Sequence, residues 1–142
     1  MNLTNSPQED GVGFQTGKTF RVFVVDDEYI ISTTLAMILE KSGFEAKSFT
    51  NPLTALAAAQ EQAPDLLISD VVMPELSGIE LAIRMRKLFP DCRILLFSGQ
   101  ASTANLLDVA AEDGYDFQLL SKPIHPAEFL KKIKEVTESK NV

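Results

Sequence analysis

The chain predicts an α/β fold, a doubly wound open sheet of parallel strands with helices on both faces, and three observations predict it. Apolar runs alternate with helix-patterned segments five times, the signature of strands joined by right-handed crossovers. Most of these runs are nearly continuous in apolar residues, as strands buried on both faces require. Each of four runs then stops at polar chemistry: Phe20–Val25 at Asp26 and Asp27, Leu66–Ser69 at Asp70, Arg93–Phe97 at Ser98, and Phe117–Ser121 at Lys122-Pro123. If the strands are parallel neighbours, these groups project from one edge, where open α/β sheets collect their ligands.

Length and composition set the bounds. The 142 residues are 45% hydrophobic, which suits one buried core and one domain. Net charge is −7, and no basic run interrupts the acidic balance, which argues against direct nucleic-acid binding. The single cysteine, Cys92, excludes an internal disulfide framework and a cysteine-rich metal site. It reads as a small residue opening a strand. No apolar stretch approaches the roughly 18 residues of a membrane span. No charged start leads into an apolar signal core, so a cytoplasmic protein with no membrane partner is expected. Residues Met1 to Lys18 carry Asn, Ser, Pro, Gln and three glycines, and are expected to form a disordered tail ahead of a domain over 19–142.

The elements follow in order. After the first strand, Ile31, Leu35, Ile38 and Leu39 recur at helical spacing between Glu28 and Ser42, and Gly43 is placed to end that helix. Glu45 to Thr50 alternates weakly, as an edge strand does. Asn51-Pro52 starts the next helix, with Asn as cap and Pro in the first turn. The alanine-rich segment Leu53 to Gln62 follows, and Pro64 closes it. Past the Asp70 loop, Ile79 to Leu88 makes a third helix that ends near Pro90, with Met85 filling core. Thr103 to Asp113 is the fourth, with Leu106, Leu107, Val109 and Ala110 apolar and Gly114 as its stop. The last, Pro126 to Ser139, sets Phe129, Leu130, Ile133 and Val136 on one face and Lys131, Lys132 and Lys134 on a solvated one.

Asp70 alone reads equally well as a turn cap; the other strand ends tip it towards chemistry. Like charges about 4 Å apart repel by about 4 kcal/mol at an effective dielectric near 20. Asp26, Asp27 and Asp70 therefore need a counter-charge to stay ionised together. Oxygen-only ligands favour a hard ion, and Mg²⁺ takes one or two carboxylates, waters and a phosphate oxygen. That points to phosphoryl transfer, in which a protein mainly positions groups and neutralises the equatorial oxygens. Lys122 and Ser98 then hold two of those oxygens, Mg²⁺ the third, and Asp70 is the nucleophile. No Gly-rich phosphate loop is present, so a nucleotide is not the expected donor. The one histidine, His125, reads as a loop or helix-start residue.

At these residues the chain resembles the receiver domain of two-component response regulators. Asp26-Asp27, Asp70 with Met73-Pro74 and Gly78, Ser98, and Lys122-Pro123 match that family's pattern in order, over about Phe20 to Ser139. The resemblance implies a flavodoxin-like (βα)5 sheet of order 2-1-3-4-5. It implies that Asp70 accepts a phosphoryl group from a phosphohistidine on a sensor histidine kinase or histidine phosphotransfer protein. It further implies Mg²⁺ on Asp26, Asp27, Asp70 and the Val72 main-chain carbonyl, Lys122 against the phosphoryl group, and Ser98 as the switch hydroxyl. Lys122-Pro123 is where the family commonly has a cis bond. Phosphorylation would remodel the face of the fourth helix, fifth strand and fifth helix for a downstream partner, an output domain or a phosphorylation-dependent homodimer.

Three positions depart from the family. Leu119 stands where Tyr or Phe is usual, with Phe117 the nearest aromatic ring in a segment one residue longer; Gly99 replaces Ala; and Ile124 replaces Phe. Leu119 keeps a second reading open, a receiver-fold interaction module that ignores phosphate. An enzyme acting on external phosphate esters is the more distant alternative, because Val72 stands where such enzymes often carry a second acid. With the chain ending just after the last helix, the expectation is either a protein that works by docking or a piece of a longer regulator.

Overall fold

The computed structural model describes residues 19–99, 103–115 and 117–138, without the side chains of 103–106. The expected tail, the Leu106 side chain of the predicted fourth helix, and Ser139 at the end of the last lie outside what is described. Five strands and five helices alternate: β1 (Arg21–Val25), α1 (Tyr29–Lys41), β2 (Glu45–Phe49), α2 (Pro52–Glu61), β3 (Leu66–Asp70), α3 (Gly78–Leu88), β4 (Arg93–Ser98), α4 (Thr103–Glu112), β5 (Gln118–Ser121) and α5 (Pro126–Glu138). All pairings are parallel and the sheet order is β2-β1-β3-β4-β5, as the resemblance implies.

Successive strand residues face opposite sides, so the apolar runs build two cores. Phe23, Val25, Leu67 and Leu96 pack with Ala55 and Ala59 of α2 and Leu81 and Met85 of α3. Val22, Val24, Leu66, Ile68, Leu95 and Phe97 pack with Leu35 and Leu39 of α1 and Phe129, Ile133 and Val136 of α5. Strand β3 lies between β1 and β4, and all five of its residues are buried. This explains why its sequence does not alternate.

Punctuation sits where the residues placed it. The Asn51 side chain accepts from the Leu53 amide at 2.7 Å, with Pro52 opening α2. Gly43 and Gly114 follow α1 and α4 with φ of 98° and 94°, a conformation in which a Cβ is strained. Boundaries shift slightly. Phe20 stands just before β1 and meets Phe44 edge-on at 5.9 Å. Phe117 precedes β5 and is buried beside Tyr115, the ring centroids 5.7 Å apart, with the Arg86 guanidinium 5.7 Å from its centroid. Among the described residues, no helix is long and apolar enough to cross a membrane.

Candidate functional site

The carboxyl ends of β1, β3, β4 and β5 meet at one edge. Asp26 follows β1 directly; its amide donates to the Phe49 carbonyl at 3.0 Å, which continues the strand ladder by one bond. Its side chain is fully buried and accepts from the Glu28 amide at 2.8 Å. Asp27, next in the chain, is exposed. Asp70 ends β3 opposite Phe97 and is 7% exposed.

The backbone around Asp70 is held from several sides. The Ser69 hydroxyl donates to the Asp70 carbonyl at 2.9 Å. The Val71 amide donates to Phe97 and the Gly78 amide to Val71, at 3.1 and 2.8 Å. Helix α3 thus begins hard against the end of β3, and a Cβ at Gly78 would overlap the Asp70 carbonyl oxygen. The Ser77 hydroxyl caps α3 by accepting from the Glu80 amide at 3.1 Å. Val72, on the loop after Asp70, has its side chain turned to solvent.

Lys122 enters from β5. Its amide donates to the Ser98 carbonyl at 3.0 Å, and the Lys122–Pro123 peptide bond is cis. Its ammonium lies 3.3 Å from Asp26 Oδ2 and 3.4 Å from Asp70 Oδ2. Ser98 ends β4 and is buried at the same edge. The structure therefore brings Asp26, Asp27, Asp70, Ser98 and Lys122 to one place. His125 supplies a carbonyl to the first turn of α5, accepting from the Phe129 amide at 2.9 Å. Cys92 is buried just before β4, and burial pushes its thiol up to about 12.

Charge at the site is out of balance. Burial raises Asp26, and the nearby Asp70 charge adds to this against the Glu28 amide and Lys122. Burial likewise raises Asp70, more than Lys122 and the Val71 and Val72 amides lower it. Burial works to lower Lys122, but Asp70 and Asp26 outweigh it and its pKa is raised. The three carboxylates offer oxygens within 4.8 Å of one another and, among the described residues, have one ammonium, that of Lys122, between them. Oxygen donors alone, an uncompensated negative charge and one solvent-facing member, Asp27, fit a hard divalent cation that keeps part of its water.

Phe97, Ser69 and Ser77 escaped the sequence reading. The two serines carried weak signals, a hydroxyl inside an apolar run and a cap residue ahead of a helix. Phe97 carried none, because its place beside Lys122, whose ammonium lies 5.1 Å from the ring centroid, depends on how β4 and β5 align.

The family model described as the response regulator receiver domain matches residues 22–134. The chain is 34% identical over 116 residues to the response regulator receiver protein CpdR of Brucella abortus, covering 82% of this chain and 95% of that one. It is 32% identical to the transcriptional regulatory protein CreB of Escherichia coli, covering 80% of this chain but 48% of the relative. It thus spans about half the length of such a transcriptional regulator. The crystal structure of a CheY-like response regulator receiver domain protein from Methanospirillum hungatei superposes with a TM-score of 0.76 at 29% identity, covering 85% of this chain and 96% of that one. The chain belongs to the response regulator receiver family. It is a phosphorylation-based signalling switch, whose catalysis is limited to its own phosphorylation and dephosphorylation.

Proposed function

We propose that Asp70 is the phosphoacceptor of a two-component pathway, taking its phosphoryl group from a phosphohistidine on a sensor histidine kinase or histidine phosphotransfer protein in the cytoplasm. An Asp70 carboxylate oxygen attacks phosphorus in line. The P–N bond to the donor imidazole breaks, and the imidazole keeps the electron pair and takes up a proton. The Lys122 ammonium, 3.4 Å from Asp70 and 3.3 Å from Asp26, carries this reading. It is already at the acceptor, ready to pair with a phosphoryl oxygen as negative charge builds. Ser98, buried at the next strand end, is the hydroxyl that follows the phosphoryl group.

Asp26, Asp27, Asp70 and the Val72 carbonyl are the groups that would hold Mg²⁺. Bound there, the ion would neutralise charge shared by the acids and the incoming phosphoryl oxygens. The receiver domain begins near residue 19. Its output passes through the face of α4, β5 and α5 to a downstream partner, an attached output domain or a second copy of the chain. Family membership supports this general plan.

The test is intact-mass spectrometry with acetyl phosphate, with and without Mg²⁺, on the wild type and Asp70→Asn. A gain of one phosphoryl group that needs both Asp70 and Mg²⁺ is expected. No gain in folded wild type, or an equal gain in Asp70→Asn, overturns the assignment.

A further inference from the structure

Lysine is a point charge on a flexible four-carbon stem, so Lys122 needs something to hold its ammonium between two carboxylates. Its contacts of 3.3 and 3.4 Å to Asp26 and Asp70 are longer than the roughly 2.7–2.9 Å of tight charge-assisted hydrogen bonds. A third group is present. The Lys122 ammonium lies 5.1 Å from the centroid of the Phe97 ring, inside the roughly 6 Å over which a cation is drawn to an aromatic face.

That ring is well anchored. Phe97 is fully buried, paired across the sheet with Asp70 on one side and Leu120 on the other, and packed in the α1/α5 core. It is also uncharged, so it attracts the ammonium without competing for a phosphoryl oxygen.

We propose that Phe97 is a positioning residue for phosphoryl transfer to Asp70, its buried ring face holding the Lys122 ammonium at the acceptor. The proposal rests on the assignment of Asp70 as phosphoacceptor. When Asp70 becomes esterified, the ammonium must exchange a carboxylate partner for a phosphoryl oxygen. The ring is unchanged by that exchange and keeps the ammonium close throughout.

The experiment compares the full-length wild type with Phe97→Leu and with a trifluorinated phenylalanine at position 97. The fluorinated ring keeps nearly the same shape but loses its negative face. Two quantities are measured: the ring-current shift of the Lys122 side-chain protons by NMR, and the rate of phosphorylation by acetyl phosphate with Mg²⁺. The wild type is expected to show shifted Lys122 protons, and both altered proteins to be phosphorylated roughly 3- to 10-fold more slowly, the range of an ordinary cation–π contact.

Wild-type Lys122 protons without a ring-current shift overturn the proposal, and that measurement needs no variant to fold. A fluorinated protein phosphorylated at the wild-type rate also overturns it, since a purely packing role would not respond to fluorination. A wild type that takes up no phosphoryl group fails the assignment of Asp70 itself, which is a different result from equal rates in wild type and variants.

Discussion

Strands β3 and β5 differ more than any other pair in the sheet. β3 sits between two partners, every residue is buried, and it ends at Asp70. β5 is a four-residue edge strand paired, among the described residues, with β4 alone; Gln118, Leu119 and Ser121 are exposed. The proposed acceptor is thus attached to the least yielding strand, and the proposed output face includes the most yielding one. A chemical site needs atoms fixed to fractions of an ångström. A switch needs an element that repacks at small cost.

The contrast predicts that disturbing the end of β3 is expensive, and Gly78→Ala is the strongest such disturbance. The new methyl group would overlap the Asp70 carbonyl oxygen, which is backbone and cannot rotate away. Either α3 or the end of β3 must shift. A loss of about 3 kcal/mol in urea unfolding is expected, the upper end of overpacking costs, together with slower phosphorylation. A near-neutral Gly78→Ala would show that this end of β3 is softer than its burial implies.

Burial also sets how the site responds to pH. Folding raises Asp26 and Asp70 above their ordinary 3.8, so the folded state binds protons more tightly than the unfolded one. Their contribution to stability therefore falls as pH climbs from about 4 through the raised values. Asp70 stays raised even with Lys122 beside it, so ionising it in the fold costs more than Lys122 returns. Asp70→Asn should melt a few degrees above the wild type at pH 7 without Mg²⁺, and lose that advantage progressively as pH falls through the raised Asp70 pKa towards the ordinary 3.8. Thermal melts across this range check it. An advantage that instead grows as pH falls would reverse the sign and break the account.

Much of this was legible in the sequence, for physical reasons. Strands buried on both faces must be apolar throughout, so Leu66–Ser69 and Arg93–Phe97 announced themselves, and the charged residues that ended such runs marked the site edge. Asn51-Pro52 and Gly43 are local signals with local causes. The illegible features depend on register between distant segments. The approach of Gly78 to Asp70, the ring of Phe97 beside Lys122 and the burial of Phe117 under Arg86 are set by how strands and helices align. Periodicity does not encode that alignment. Phe117 is the clearest case: by position it is the aromatic nearest Leu119, but in space it is a core residue.

Leu119 is where the smallest effect is expected, and it tests the other side of the contrast. Its side chain is 38% exposed on β5, while Phe117 is buried beside Tyr115 and Arg86. Truncation to alanine removes few buried contacts, so Leu119→Ala should cost well under the roughly 2–5 kcal/mol of a core leucine and leave the phosphorylation rate within about twofold. Leu119→Tyr should be tolerated equally well, because an exposed edge position has room for a ring. Urea unfolding and acetyl phosphate kinetics on both variants check this. A large loss of stability would mean that β5 is held as firmly as β3. A large loss of phosphorylation with stability intact would mean that Leu119 acts on the site directly, and the separation of a rigid chemical edge from a soft reading edge would no longer hold for this chain.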